Sequence, residues 1–421
     1  MNIIEIIFII LIFGIKADET NNQNELTYNY SSYNSFIVNT SLNTYSKELT
    51  DDDSSVISYF RYSDGDWGQY DYTIQNSVIS KTGKSSNLDN SFTYCINSAV
   101  LNSGHAVKIS GSTITTNADG AIALCTRKDG SITVDQSIIS TTDSNSPAFH
   151  SYSGYIFGEN CSIKTKGQSS PAISVGKNGQ TTCRNSQITT NGKGSPLIDA
   201  KGTIFLNNII GNASNSQAII MDGVGSLNIG TNSNITCSGK GIAEDSSDSC
   251  GILIKNTTKN DRVESTFIDI KDSCLEITSD APMFKVDNTS TELSFSKSYI
   301  NSKILVEINK VSSKINIYMR GCEVKGDILI DDNTELYIIV QGDGNFTGAI
   351  NPENKAGYIN LYVDGGSFVS LTGNSYITEY YSKLDDGIKK NSFSLNSEKN
   401  SSSNFGYLNR FLFFICLLIL M

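Results

Sequence analysis

Short alternations of apolar and polar residues recur along the chain about every two dozen residues. One column reads Ser-Thr-Ile114-Thr-Thr, Ser-Ile-Ile139-Ser-Thr, Cys-Ser-Ile163-Lys-Thr, Ser-Gln-Ile188-Thr-Thr, Asn-Ile-Ile210-Gly-Asn and Ser-Asn-Ile235-Thr-Cys, with isoleucine steps of 25, 24, 25, 22 and 25. A second column runs through Ala121, Ala148, Ala172, Leu197 and Ala218. A third opens on Gly130, Gly154, Gly179, Gly202 and Gly225. Each repeat therefore holds three short strands separated by polar turns, and alternation leaves each strand one face to bury. A lone coil of three such strands cannot bury that face, whereas stacked coils place Ile over Ile in one continuous core. The expected fold is all-β: a single right-handed parallel β-helix of about 22–25 residues per coil. An antiparallel sandwich ranks second, because it does not require three columns to return together.

A polar column accompanies the first. Three residues before the isoleucine lie Gln136, Asn160, Asn185, Asn207 and Asn232, while Gly111 breaks the series. Amides repeated once per coil are expected to stack at an inward turn and satisfy backbone groups there. With its strand columns and its amide column, the chain resembles the right-handed parallel β-helix families, the pectate-lyase-like superfamily and its surface-protein relatives. The resemblance spans roughly residues 70–383 and implies a fold more than a function.

Alternating strands continue beyond an insertion at 239–250, through Thr266-Phe-Ile-Asp-Ile, Glu292-Leu-Ser-Phe-Ser, Lys314-Ile-Asn-Ile-Tyr, Glu335-Leu-Tyr-Ile-Ile-Val and Gly357-Tyr-Ile-Asn-Leu-Tyr-Val. Residues 18–69, rich in Ser, Asn and Tyr, are expected to form an arm or a cap, since a solenoid needs covered ends. Residues 384–404 read as a polar stalk.

The composition agrees with many short strands. Charged residues make up only 18%, and Ser, Asn, Thr and Gly, all weak helix formers, fill much of the rest. A net charge of −11 with no basic run excludes the electrostatic footprint of a nucleic-acid binder. Residues 1–17 carry the apolar run and small residue of a signal peptide. Residues 405–421 end in an apolar tail behind the small residues around Asn400, the pattern of a lipid-anchor signal with Asn400 as attachment site. These features predict secretion to the cell surface and tethering to the outer leaflet of the plasma membrane.

In that setting, eight of the nine cysteines (all but Cys416, in the tail) suggest disulfides, although eight allow 105 connectivities. Buried thiols are the alternative. Sequons stand at Asn29, Asn39, Asn160, Asn212, Asn234, Asn256, Asn288, Asn345 and Asn400. At Asn160, inward stacking is expected to exclude a glycan.

Pectin-cleaving β-helix enzymes group carboxylates with Arg or Lys on one exposed sheet. No such motif is legible here. Asp331-Asp332 reads as a turn pair, His105 and His150 fall at different phases, and no spacing suggests a Cys/His metal set. No cofactor is expected. The one unusual patch holds Asp64, Asp66, Trp67, Tyr70 and Asp71, with the only tryptophan; an exposed ring there would suit a sugar. Two classes of function follow. One is a non-catalytic surface protein for adhesion, glycan recognition or coat structure. The other is a pectin-type lyase or hydrolase, which a carboxylate cluster on one outer sheet face would favour.

Overall fold

The computed structural model describes residues 28–30, 33–35, 41–60, 72–86, 94–223, 225–241, 248–257, 265–309, 314–355, 357–384 and 387–389. Its strands form a single parallel β-solenoid of about 11 turns. Each turn contributes one strand to each of three faces. Sheet A is built on strands such as Ile122–Arg127, sheet B on Gly130–Asp135 and sheet C on Ile138–Thr141.

The columns expected from the periodicity are the core. In sheet C, Ile79, Ile114, Ile139, Ile163 and Ile188 stand directly over one another. All are essentially buried. In sheet A, Leu124, Phe149, Ile173, Ile198, Ile219, Ile252 and Phe284 pair in turn. Sheet B continues through the later strands as the alternation predicts: Ile268, Leu293, Ile317, Ile338 and Leu361 are in register. The second column begins two residues later than expected, since Leu124 pairs with Phe149 and Ala123, rather than Ala121, therefore precedes it as Ala148 precedes Phe149.

One step of the isoleucine column is corrected. Ile188 pairs with Gly211, and Ile210 pairs with Gln187 and Asn234. Ile210 accordingly points outward and is 61% exposed, while its neighbour Ile209 is buried. In a strand, a slip of one residue exchanges the faces. The space above Ile188 is filled from the side: a Cβ at Gly211 would lie 2.7 Å from Leu197 Cδ1.

The amide column is corrected with it. Asn160, Asn185, Asn207 and Asn232 are exposed rather than stacked inside. The recurring position is Gln136, Asn160, Asn185, Asn208 and Asn232, all with φ between 47 and 58°. Gly111, with φ 57°, occupies the same corner. The corner between sheets B and C needs the left-handed region, which Gly and Asn reach most cheaply. That requirement explains both the repeated Asn and its apparent interruption by Gly111. The amides still bond from turn to turn on the outside: Asn208 Nδ2 donates to Asn185 Oδ1 at 2.9 Å and Asn160 Nδ2 to Asp135 Oδ1 at 2.9 Å.

The inward polar ladder lies one residue later and is made of hydroxyls. Ser77, Ser112 and Ser137 each donate to the carbonyl two residues back, with Ser137 Oγ 2.7 Å from Asp135 O. Each accepts from the backbone N–H of the neighbouring turn: Ser77 N to Ser112 Oγ, 3.1 Å, and Ser112 N to Ser137 Oγ, 3.1 Å. Ser186, Ser233, Ser273 and Ser298 repeat the arrangement farther along. A second serine ladder, Ser146, Ser170 and Ser195, turns the chain from sheet C into sheet A. Buried backbone groups that the tight corners would strand are thereby satisfied.

The ends differ from the expected boundaries. Leu42–Asn43, Ser46–Leu49 and Ile57–Phe60 pair in parallel with the next turn, so the solenoid begins inside the segment expected as an arm. At the other end Gly387–Lys389 pairs antiparallel with Glu379–Leu384, covering a strand edge that would otherwise invite pairing with another chain.

Candidate functional site

The residues singled out in the sequence separate into three groups. Asp64, Asp66, Trp67, Tyr70, Asp71, Asn39 and Asn400 lie outside the described residues, as does the side chain of Asn29. Asn212, Asn234, Asn288 and Asn345 are exposed, and Asn256 is partly so. Asn160 is exposed as well, so burial gives no reason to exclude it as an acceptor. Asp331 accepts from Asn333 N at 3.2 Å and Thr334 Oγ1 at 2.6 Å, the expected turn role before the strand Glu335–Gln341.

Chemistry concentrates instead on the outer face of sheet A. Two outward columns run along it. The first passes through Cys125, His150, Ser174, Asp199, Ile220, Leu253, Lys285 and Glu307. The second includes Lys201, Asp222, Lys255 and Asp287, alternating in sign from turn to turn. Lys201 Nζ lies 3.8 Å from Asp222 Oδ2, and Lys285 Nζ lies 3.3 Å from Glu307 Oε1.

Two covered zones bound this set. Toward the N-terminal end, Tyr94, Cys95, Leu101, Ile122 and Cys125 form a separate apolar cluster on the outside of the sheet. His150 is buried beside it, its ring edge-on to Tyr94 at 5.6 Å, and Tyr152 tilts against it with 36% of its surface exposed. Toward the C-terminal end, Cys250 at the close of the insertion packs onto Ile220 and Leu253. Between the zones the side chains are small: Ser174, and Gly176, where a Cβ would stand 2.4 Å from Tyr152 O. The next turn presents Asp199, half-buried, and Lys201.

Burial pushes the Asp199 carboxyl above the ordinary carboxylate range; Lys255 pulls it back, Asp222 adds to the rise and Lys201 opposes it. Asp222 is held in place. Thr257 donates to it from its N–H to Oδ1 at 2.9 Å and from its single hydroxyl hydrogen, whose oxygen lies 2.9 and 2.7 Å from Oδ1 and Oδ2.

Among the described residues the cysteines resolve into one disulfide, Cys95–Cys125, and six free thiols, Cys161, Cys183, Cys237, Cys250, Cys274 and Cys322. Burial pushes Cys161, Cys237 and Cys322 up to about 11, which keeps them as inert thiols packed in the wall. His105 stacks edge-on to Tyr72 at 5.2 Å, far from His150 in the repeat. His150, however, is brought beside Cys95 and Cys125, a Cys/His grouping that the linear spacing does not disclose.

No protein-family model, curated protein or solved structure matches this chain. The superfamily resemblance therefore stays an expectation drawn from the sequence, and what the structure shows is a parallel β-solenoid.

Proposed function

We propose that the chain is a non-catalytic cell-surface rod, tethered by a C-terminal lipid, that recognises an extended polar polymer such as a glycan along sheet A. The observation that carries this reading is the combination of Tyr152, Ser174, Asp199 and Lys201 on successive turns of one outer face. Turns rise about 4.8 Å, close to the length of one sugar ring. An exposed tyrosine ring offers a stacking surface, and the adjoining carboxyl and ammonium groups offer donors and acceptors for hydroxyls. The signal-like N-terminus and the small-residue, spacer and apolar-tail pattern of the C-terminus support surface display.

The same face contains the one observation that favours a polysaccharide-cleaving enzyme: a carboxyl with a raised pKa next to a second carboxylate. A general acid wants a raised pKa. Against it, Asp222 accepts from Thr257 on both oxygens and has Lys201 Nζ 3.8 Å from Oδ2, contacts that suit a carboxylate anchoring the chain at Thr257. Lysines 201 and 255 beside the pair also oppose a calcium site of the lyase kind, which gathers uncompensated oxygens. Recognition is the better fit.

A glycan array probed with residues 18–400 tests the reading, beside a depolymerisation assay on uronic-acid polymers. Binding that falls in Tyr152→Ala and Lys201→Ala, with an unchanged melting temperature, is the expected result. Loss only in Trp67→Ala would transfer the site to the patch at Asp64–Asp71. Sustained cleavage of any polymer would overturn the non-catalytic reading.

A further inference from the structure

We infer that Cys95, Cys125 and His150 constitute a redox-gated site for a thiophilic divalent cation of the zinc class, closed while the two cysteines are bonded and open when they are reduced. Their ligand atoms lie within 4.8 Å of one another and all three residues are buried. Around a tetrahedral zinc with sulfur at about 2.3 Å and nitrogen at about 2.0–2.1 Å the two sulfurs stand roughly 3.7 Å apart, so they must part on reduction while the ring nitrogen stays within reach.

The histidine supplies the independent observation. It is 2% exposed, its Nδ1 is 3.0 Å from Ser174 Oγ, and its Nε2 is buried with no hydrogen-bond partner among the described residues. A ring nitrogen of His150 lies within 4.8 Å of both sulfurs, and one nitrogen tied to a hydroxyl leaves the other for a ligand, the arrangement in which a second group orients an imidazole. With Nδ1–H donating to Ser174, Nε2 carries the lone pair that a cation would take.

The charges also balance. Two thiolates and a neutral imidazole around a divalent cation sum to zero, which a pocket lined by Tyr94, Leu101 and Ile122 tolerates far better than a net charge. Water would complete four-coordination. The gating step is a disulfide reduction. A phosphine attacks one sulfur, takes oxygen from water to become the phosphine oxide, and leaves two thiols. Cation binding then displaces their two protons.

The full chain, stripped with a chelator, is titrated with cobalt(II) before and after treatment with a water-soluble phosphine. Thiolate-to-cobalt charge-transfer absorption reports the bond. One equivalent per chain should bind to the reduced protein and none to the oxidised protein over the same range. Cys125→Ser should abolish the absorption, and His150→Gln, similar in size, should weaken binding at least tenfold. Ser174→Ala should weaken it about 10–100-fold, the usual effect of losing a group that orients a ligand. Cys274→Ser, remote from the site, should leave it unchanged. Circular dichroism is followed throughout. Reduced protein that keeps its fold yet shows no absorption would overturn the assignment. So would equal affinity in Cys125→Ser and His150→Gln, or loss of the fold on reduction.

Discussion

Ile188 and Ile210 occupy equivalent places in the repeat as written, and the structure assigns them opposite roles. Ile188 is 1% exposed above Ile163, whereas Ile210 is 61% exposed on the outside of the same sheet. Truncating either to alanine removes three carbons. At about 0.8 kcal/mol per buried methylene, Ile188→Ala loses roughly 2.4 kcal/mol of transfer energy. The site cannot collapse fully, because Ile163 below and Leu197 to the side are themselves packed, so the total should reach about 2–5 kcal/mol. Ile210→Ala should stay within about 0.5 kcal/mol, as surface substitutions do. Urea unfolding followed by circular dichroism measures both. A solenoid is held together turn by turn, so the loss in Ile188→Ala should appear as an earlier transition of the coils around it. Equal midpoints for the two variants, or a larger loss in Ile210→Ala, would refute the register in which Gly211 succeeds Ile188.

At the left-handed corner, Asn185→Gly should leave the melting temperature nearly unchanged while Asn185→Val lowers it, through a stability loss of about 1–2 kcal/mol, since a β-branched residue resists φ near 48°. Asp199 has a raised folded-state pKa, so below the ordinary carboxylate range both states hold the proton and nothing is lost. As pH rises through that range the unfolded chain releases its proton first, and stability falls until the folded carboxyl ionises. Asp199→Asn should therefore melt higher than the native protein at pH 7 and match it in acid, which a series of thermal melts across pH will show. Lys81 points into the first turns, donates to the Asp51 carbonyl, and has its pKa lowered to about 8, mainly by burial and against the pull of Asp52, Asp51 and Asp53. The unfolded chain binds the extra proton between about 8 and 10.5, so stability contributed by this group rises with pH there. Lys81→Met should accordingly be more stable at pH 7, with the advantage shrinking as that window is crossed.

The architecture was legible because a solenoid writes its contacts at a fixed period: Ile114, Ile139, Ile163 and Ile188 meet because they lie about 24 residues apart, and no long-range pairing had to be guessed. The misreadings share a cause. Asn207-Asn208-Ile209-Ile210-Gly211 offers two asparagines and two isoleucines, and period alone cannot choose between neighbours. The choice is made by the corner, which needs a left-handed residue at 208, and by Leu197, which fills the place over Gly211. The inward ladder was hidden for a related reason. Serine is common throughout the chain, so Ser112, Ser137 and Ser186 carry no compositional signal, while the rarer amides one residue earlier do. Sheet A's outer face lay still deeper. Its charged residues alternate with buried ones on strands separated by irregular insertions, and Asp199 and Asp222 are one turn apart on neighbouring columns, not in a motif. Cys95, Cys125 and His150 are spaced 30 and 25 residues, which no short metal-binding pattern contains. In a coil of that length it is nonetheless the spacing of direct neighbours. Chemistry on such a fold is written across turns, so candidate sites in a solenoid have to be sought at the period of the repeat and on its outward phase.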